Sequence, residues 1–379
     1  MRDTKELKRE NRLKILEYQP REDDGTVDFY PAYIQLEQTN RCNAECIMCN
    51  HFYLGNNGCK DLPESVAERI TSVLPYCETI MLNGDGEPFL CKTIRKNIER
   101  YVGYGISIGT NTNLCCIPEY MWEYLESSLS FLNISCDGAS KETFELIRQN
   151  LSYDTFLRNL TRLRAAKPQL VKNFDCVVMK QNILELPDIV SLAAENGVAS
   201  VRFRRLGVNP CIDNQSDSAE LYYADLRESL EKARRIGQRH GVRIEYPTYR
   251  PMPKQAELPS AGDMARELAE RQVIAIARFG KRRISDDYYS EKALSSDLCE
   301  NSWNAGMVCK WAIERCYIDV NGNVTTCCFN MKKNMGSLRE NTFEDIWNGD
   351  EYQTLRRLMA KKRLPCFCRD CNWIKEPRF

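Results

Sequence analysis

The sequence predicts an α/β fold in which an open barrel of six parallel strands, a partial (β/α)6 barrel, precedes a small C-terminal domain. From about Pro31 to Phe203, apolar strand-like runs alternate with helical patterns. This alternation is typical of right-handed βαβ units and a parallel sheet. After residue 300 it gives way to closely spaced cysteines. The 379 residues of the chain are enough for one large domain and a small one.

Six strands and five helices make up the predicted barrel. The strands are Tyr33–Glu37, Thr79–Leu82, Gly105–Gly109, Phe131–Ser135, Phe174–Met179 and Ser200–Phe203. The helices are Glu64–Leu74, Ile94–Tyr101, Lys141–Arg148, Tyr153–Leu163 and Leu186–Asn196. We expect four regions: a charged lead-in at 1–30, the barrel at 31–207, a helical extension at 208–300 and a C-terminal domain at 301–379. Within the extension, helices are expected at about Ser218–His240 and Asp263–Phe279.

Three cysteines follow the first predicted strand, where a barrel of this kind collects its reactive groups. Cys42, Cys46 and Cys49 form a C-x3-C-x2-C triad. A structural zinc site needs four protein ligands, whereas a [4Fe–4S] cluster held by three thiolates leaves one iron open. The triad therefore favours an iron–sulfur cluster. Zinc, with His51 as the fourth ligand, is the alternative.

Two loops and one arginine further along the chain have the chemistry of a ligand site. The second strand leads into Asn83–Pro88, whose glycines let backbone approach a ligand closely and whose proline stiffens the exit. On its own this segment would be an ordinary turn. After the fourth strand, Ser135 and Asp137 share a face by strand alternation, and Gly138 follows. The guanidinium of Arg148 suits bidentate binding of a carboxylate.

Together with the triad, these segments resemble the radical S-adenosylmethionine (SAM) superfamily. The resemblance implies that the open iron binds the amino and carboxylate groups of SAM. The residues implied to contact SAM are Gly84, Asp85, Gly86, Glu87, Asn111, Ser135, Asp137 and Arg148. Asp85 departs mildly from the usual Gly-Gly-Glu-Pro pattern of the family. Met48 takes the place of the aromatic residue that packs on adenine in most members, and its thioether can still cover a ring.

The C-terminal cysteines resemble the SPASM/twitch auxiliary domain of many radical SAM enzymes. Cys309, Gly322 and Cys327 are spaced C-x12-G-x4-C, and Cys368 and Cys371 follow as C-x2-C. Since no cysteine follows Cys371, the resemblance is to the shorter twitch form, which implies one auxiliary [4Fe–4S] cluster with four cysteine ligands. A zinc ribbon on the same four is the alternative. Other possible ligands are Cys366, Cys328 and Cys316.

Two secondary-structure elements are predicted to bring these cysteines together. Asp319–Val324 has the Asn-Gly signature of a tight hairpin, which would return Cys327 towards Cys309. Phe343–Met359 is predicted to form the helix that carries the chain on towards Cys368. The remaining cysteines are interpreted as small buried apolar residues. They are Cys59, Cys77, Cys91, Cys115, Cys116, Cys136, Cys176, Cys211 and Cys299.

The resemblance implies an enzyme that reductively cleaves SAM to a 5′-deoxyadenosyl radical, which abstracts a hydrogen atom from a substrate. The auxiliary cluster would assist electron transfer, and flavodoxin or ferredoxin would serve as the one-electron donor. We expect oxidation or epimerisation of a carbohydrate-like or aminocyclitol small molecule. Only about 40 residues precede the triad, too few for a leader-recognition domain, so peptide modification is the alternative. A non-enzymatic electron-transfer or zinc protein would leave the two loops without a use.

The composition of the chain limits the classes of partner and the cellular compartment that we expect. The 53 basic and 53 acidic side chains cancel, so no nucleic-acid or anionic-membrane partner is expected. No apolar run has the roughly 20 residues of a membrane span, and no signal peptide is recognisable. The 19 cysteines therefore favour metal binding in a reducing, cytoplasmic compartment over a disulfide scaffold. With only two histidines, histidine-based sites are nearly excluded.

Overall fold

The described residues fall into two units that interleave along the chain. The computed structural model describes residues 3–49, 51, 60–166, 169–207, 214–251, 309–327, 333–361 and 363. Of these, the first unit takes 3–41, 60–110 and the residues from 309 onwards, and the second takes the rest. The predicted extension at 208–300 is described only at 214–251, and the helix expected at Asp263–Phe279 lies outside the described residues.

The first unit contains three strands of the predicted barrel and three C-terminal strands. Strand β1 (Tyr33–Leu36) pairs in parallel with β3 (Thr79–Met81), which pairs in parallel with β4 (Ser107–Thr112). The last two residues of β4 belong to the second unit. On its other edge, β1 pairs in parallel with β10 (Arg315–Ile318). The antiparallel strands β11 (Asn323–Thr325) and β12 (Asn334–Ser337) continue from β10.

The second unit contains the other three barrel strands. Strands β5 (Phe131–Ser135), β7 (Val171–Val178) and β8 (Ser200–Arg205) pair in parallel in that order, and β9 (Arg243–Glu245) follows β8. A separate antiparallel pair joins β2 (Glu45–Cys46) to β6 (Arg148–Gln149). All six predicted barrel strands therefore occur, although several of their bounds differ from the prediction.

Helices connect successive strands, as parallel pairing requires. The described helices are α1 (Thr4–Glu17), α2 (Glu64–Arg69), α3 (Ile94–Val102), α4 (Tyr124–Ser128), α5 (Lys141–Ile147), α6 (Tyr153–Ala166), α7 (Leu186–Glu195), α8 (Tyr223–His240), α9 (Lys310–Ile313), α10 (Phe343–Trp347) and α11 (Asp350–Ala360). The side chain of Ser140 caps α5 by accepting the backbone N–H of Thr143, and α8 ends at Gly241, whose φ of 73° suits a glycine.

One face of the second unit's sheet forms its apolar core. Alternate residues of β5, β7 and β8 are almost completely buried, and these are Leu132, Ile134, Phe174, Cys176, Val201 and Phe203. Cys77, Cys91 and Cys136 are also buried, as predicted, whereas Cys115 and Cys116 are half-buried. Because side chains alternate between faces, the opposite face of the same strands is left for polar residues.

The C-terminal hairpin is confirmed, and the helix predicted after it is divided. Strands β10 and β11 pair antiparallel around Gly322, whose φ of 84° is readily adopted by glycine. The predicted helix Phe343–Met359 is two helices, because α10 ends at Asn348 and α11 begins after Gly349. In the first unit, the predicted helix Glu64–Leu74 is regular only to Arg69.

Candidate functional site

The cysteine triad lies on a short irregular segment of the second unit. Cys46 is in β2, directly opposite Arg148 of β6. The backbone N–H of Cys49 donates to the carbonyl of Cys46 at 3.0 Å, and that of Ile47 donates to Ile147 at 3.0 Å. Cys46 is buried, whereas Cys42 and Cys49 are half-buried. The pairing with β6 therefore fixes the position of the middle cysteine of the triad.

Arg148 lies between the triad and a buried carboxylate. Its Nη1 is 3.6 Å from the sulfur of Cys46, and its Nη2 is 2.6 Å from Oδ2 of Asp137. Asp137 is fully buried and accepts the backbone N–H of Val177 at 2.7 Å. Burial raises the pKa of Asp137 and of the Cys46 thiol, and the guanidinium opposes the rise in both. Asp137 therefore holds Arg148, and its own side chain is fully buried.

The donor set of the triad fits an iron–sulfur cluster better than zinc. Three thiols come from one segment, and a cation next to the middle sulfur favours the thiolate that a cluster requires. In the part of the chain that the structure describes, no group of three or more histidine, cysteine, aspartate or glutamate side chains is arranged to hold a metal ion. The assignment of these three ligands therefore remains a prediction from the sequence.

The loop Asn83–Pro88 is held by a buried acid that sequence reasoning did not single out. Glu37 accepts the backbone N–H of Asp85 at 2.7 Å through one oxygen and that of Val320 at 2.9 Å through the other. Burial, followed by the nearby charge of Asp85, raises the pKa of Glu37 to about 7. A Cβ on Gly84 would collide with the Glu37 side chain. The glycine is therefore required by Glu37.

Gly86 is required by the backbone that leads into the triad. A Cβ there would collide with the carbonyl oxygens of Thr39 and Arg41, the latter being the residue before Cys42. The backbone N–H of Glu87 donates to that Arg41 carbonyl at 2.8 Å. The Glu87 carboxylate is buried and accepts the Phe89 N–H at 3.4 Å. Gly86 and Glu87 therefore hold the loop against the backbone of Thr39 and Arg41.

Asn111 and Ser135 lie on the polar face of the second unit. Asn133 donates to Oδ1 of Asn111 at 2.8 Å, and Asn173 donates to Oδ1 of Asn133 at 3.2 Å. Ser200 completes the row by donating to Asn173 at 2.7 Å. Ser135 is two residues after Asn133 on β5 and therefore faces the same side. The polar row places two of the predicted SAM contacts on one face.

Two further residues, Glu185 and Asn182, position the loop after β5. Glu185 accepts the N–H groups of Ala139 at 2.7 Å and Ser140 at 3.1 Å, and the Ser140 hydroxyl at 2.6 Å. Asn182 is fully buried and donates to the carbonyls of Asp137 at 3.0 Å and Val177 at 2.9 Å. No spacing signal in the sequence marks Glu185, because its partners are about 45 residues away.

Met48, the residue expected to face adenine, belongs to an apolar cluster. It packs with Ile47 and Val177 against the buried side chains of Ile147, Met179 and Leu206. The cluster includes Ile47 and Met48, the two residues between Cys46 and Cys49, and so anchors this segment by apolar packing. The packing is compatible with one side of the Met48 thioether facing a ligand.

Two of the four predicted auxiliary ligands lie in the described part of the C-terminal region. Cys309 precedes α9, Cys327 follows β11, and both are half-buried. Burial raises the pKa of Tyr352, and the thiols of Cys316, Cys327 and Cys309 add to the rise. Cys316 is fully buried in β10. The ligands Cys368 and Cys371, and the alternatives Cys366 and Cys328, lie outside the described residues.

Two family sequence models match this chain, one over the barrel and one over the C-terminal cysteines. The sequence model of the Radical SAM superfamily matches residues 36–193, and that of the SPASM iron–sulfur cluster-binding domain matches residues 309–372. These families imply SAM and iron–sulfur clusters as cofactors. No helix among the described residues combines the length and apolar character needed to cross a membrane.

Individual relatives cover parts of the chain. It is 28% identical over 186 residues to the mycofactocin maturase MftC of Mycobacterium tuberculosis. The aligned residues are 46% of this chain and 45% of the relative. It is 30% identical over 204 residues to a probable GTP 3′,8-cyclase of Thermoplasma volcanium. Here the aligned residues are 52% of this chain and 60% of that protein. The chain thus spans about half the length of these curated relatives.

A solved structure extends the likeness in fold to most of the chain. SuiB of Streptococcus suis, bound to its precursor peptide SuiA, superposes with a TM-score of 0.57 at 14% identity, covering 92% of this chain and 70% of that one. The predicted class, a partial (β/α)6 barrel with a small C-terminal SPASM-like domain, is confirmed. The chain therefore belongs to the radical SAM superfamily and carries a SPASM domain at residues 309–372.

Proposed function

We propose that this protein is a radical SAM enzyme that modifies a peptide substrate by hydrogen-atom abstraction. The observation that carries the proposal is the match to mycofactocin maturase at 28% identity. SuiB, which has the same fold along 92% of this chain, has been crystallised with a precursor peptide. The expected carbohydrate-like or aminocyclitol substrate has no support among these relatives, so the peptide alternative now becomes the main proposal.

In this proposal, the triad holds a [4Fe–4S] cluster and the polar face around Ser135 receives SAM. The bound cluster and SAM would supply a carbon-centred radical that removes a hydrogen atom from the substrate. Arg148 stabilises the thiolate of Cys46, and Asp137 orients Arg148 by a charge-assisted hydrogen bond. Glu185 and Asn182 keep the loop after β5 in place, so that Ser135 and Arg148 are pre-organised.

The apolar cluster around Met48 keeps water away from one side of the triad segment. Cys309 and Cys327, with Cys368 and Cys371, would hold the auxiliary cluster. A cluster with four protein thiolates has no open iron for SAM, so its part would be electron transfer or structural support. An external one-electron donor such as flavodoxin or ferredoxin would reduce the protein.

Co-expression tests the proposal directly. The full chain is co-expressed with each short open reading frame encoded near its own gene, and the peptides are compared by mass spectrometry with those from the Cys42→Ala variant. We expect one peptide to lose hydrogen, by oxidation or by formation of an internal cross-link, only with the unmodified enzyme. Consumption of GTP or of an amino sugar by the purified enzyme, with every peptide unchanged, would refute peptide modification.

A further inference from the structure

The polar face of the second unit carries an arginine pair that the proposed SAM site does not use. Strand register aligns Ser135, Asp175 and Arg202 in one row across β5, β7 and β8. The next row on the same face places Arg204 opposite Val177. Ser135 is a predicted SAM contact, so the two arginines face the same side of the sheet as that site.

The two arginines share one carboxylate. Nη2 of Arg202 is 2.6 Å from Oδ2 of Asp175, and Nε of Arg204 is 3.2 Å from Oδ1 of the same residue. Two cations on one anion leave a net charge of +1. On β9, Arg243 and Glu245 pair with each other at 2.8 Å and cancel. The cluster of Asp175, Arg202 and Arg204 therefore carries an excess positive charge on this face.

Part of the donor capacity of the pair is unused. Nε of Arg202 is buried and has no hydrogen-bond partner among the described residues. The Arg202 side chain is 19% exposed and that of Arg204 is 41% exposed, so both can reach a ligand. A guanidinium has five N–H donors, and Asp175 accepts only one hydrogen bond from each arginine. Both arginines therefore retain donors for a second anion.

We propose that Arg202 and Arg204 bind a carboxylate of the substrate peptide and so fix which residue is presented to SAM. The inference rests on the proposed peptide function and narrows it to an acidic side chain or a free C-terminus. Neighbouring strands are roughly 4.8 Å apart, so two strand spacings put Arg202 about 10 Å from Ser135. That separation suits a substrate group anchored beside the cofactor. Paired guanidiniums favour a carboxylate because they bind both oxygens.

Two blocked tripeptides that differ in one group test the proposal. Reconstituted full-length protein with SAM is titrated with N-acetyl-Ala-Glu-Ala-amide and with N-acetyl-Ala-Gln-Ala-amide, and binding is followed by ligand-observed NMR. We expect the glutamate peptide to bind about ten-fold more tightly or better, and Arg202→Gln and Arg204→Gln to remove most of that difference. Arg235→Gln, at an arginine of α8 that is 68% exposed, is the matched control and should not change binding.

Asp175→Asn separates ligand binding from structural support. It removes the internal competitor of the pair, so we expect it to tighten binding of the glutamate peptide, whereas a folding defect would weaken binding in all three variants. Equal affinity for the two peptides in the unmodified protein would overturn the inference. The inference would also be overturned if Asp175→Asn weakened binding of the glutamate peptide as much as Arg202→Gln does.

Inorganic phosphate separates a peptide carboxylate from a free anion. Phosphate that displaces the glutamate peptide, and needs Arg202 to do so, supports one shared anion site. Arginine-dependent phosphate binding without any binding of the glutamate peptide would overturn the carboxylate assignment. If co-expression yields a modified peptide and the arginine variants modify it at the normal rate, this inference fails while the proposed function stands.

Discussion

The carboxylate of Glu37 accepts the backbone N–H of Asp85 at 2.7 Å, so the residue that follows β1 holds the loop that follows β3. Its other oxygen accepts the N–H of Val320, in the hairpin of the SPASM domain, at 2.9 Å. One buried side chain of the first unit therefore ties the Asn83–Pro88 loop to the hairpin. A displacement of either partner changes the environment of the same carboxylate.

Glu37 should make stability depend on pH between about 4.5 and 7. Burial raises its pKa in the folded protein from 4.5 to about 7, so the folded state binds more protons than the unfolded state in this window. The contribution of this group to the free energy of unfolding should therefore fall as pH rises, by about 3 kcal/mol at most. Urea unfolding of the metal-free protein at several pH values measures it.

Glu37→Gln should remove this part of the pH dependence while keeping one of the two backbone hydrogen bonds. Glu340→Gln, at an exposed glutamate, is the control and should leave the pH profile as it is. A Glu37→Gln protein with an unchanged profile would show that Glu37 does not titrate in this window.

Arg148→Ala should destabilise the protein as well as weaken SAM binding. It leaves Asp137 buried without its cation, which typically costs about 3–5 kcal/mol. Replacing both partners, as Arg148→Met with Asp137→Leu, should recover part of that loss, because no charge is then left buried although the Val177 N–H loses its acceptor. Urea unfolding measures stability, and equilibrium dialysis with labelled SAM measures affinity.

Arg95→Ala is the control for this effect, since Arg95 and Glu99 form an exposed helix pair at 2.8 Å. Loss of this exposed pair should lower the free energy of unfolding by less than about 1 kcal/mol. An Arg148→Ala protein as stable as Arg95→Ala would mean that Asp137 does not need its partner. Ser135→Ala should lower SAM affinity without this loss of stability.

Metal content should report two clusters. After anaerobic reconstitution we expect about eight irons per chain, and joint replacement of Cys42, Cys46 and Cys49 by alanine should halve that number. The absorbance near 400 nm should fall in proportion. Purification from iron-replete cells with zinc in place of iron, and without that absorbance, would contradict the assignment of both sites.

The two cysteine sets should fail in different ways. Variants of Cys309 and Cys327 should still form 5′-deoxyadenosine from SAM and dithionite, while product formation stops. Variants of the triad should form no 5′-deoxyadenosine. Circular dichroism and residual iron must show that the SPASM domain is still folded, since loss of a metal site can unfold a small domain. Normal turnover by a folded Cys309 variant would end the electron-transfer assignment.

The barrel strands could be predicted because each is a run of apolar residues between helical patterns, and parallel strands leave this signal in local sequence. Phe131–Ser135 was predicted with both bounds correct. The β2–β6 pair could not be predicted in this way, since each strand has two residues and its pairing depends on a contact 102 positions apart.

In the candidate site too, the residues marked by local motifs could be predicted, and the contacts between residues distant in sequence could not. Motif spacing marked Ser135, Asp137 and Arg148, but it could not show that Asp137 faces Arg148 and is closed to solvent. Glu37 and Glu185 carry no motif, and their partners are 48 and about 45 residues away. Such supporting residues become visible only when the backbone groups that they bind have been placed.

Strand β10 lies along the otherwise open side of β1, with Tyr33 to Leu36 each matched to a residue of Arg315–Ile318. The SPASM region therefore protects the first barrel strand from intermolecular strand addition. Truncation before residue 309 would expose the backbone N–H and C=O groups of that strand, and the shortened protein should form aggregates through it. We therefore expect the C-terminal domain to keep the barrel from aggregating through this strand, whatever metal it carries.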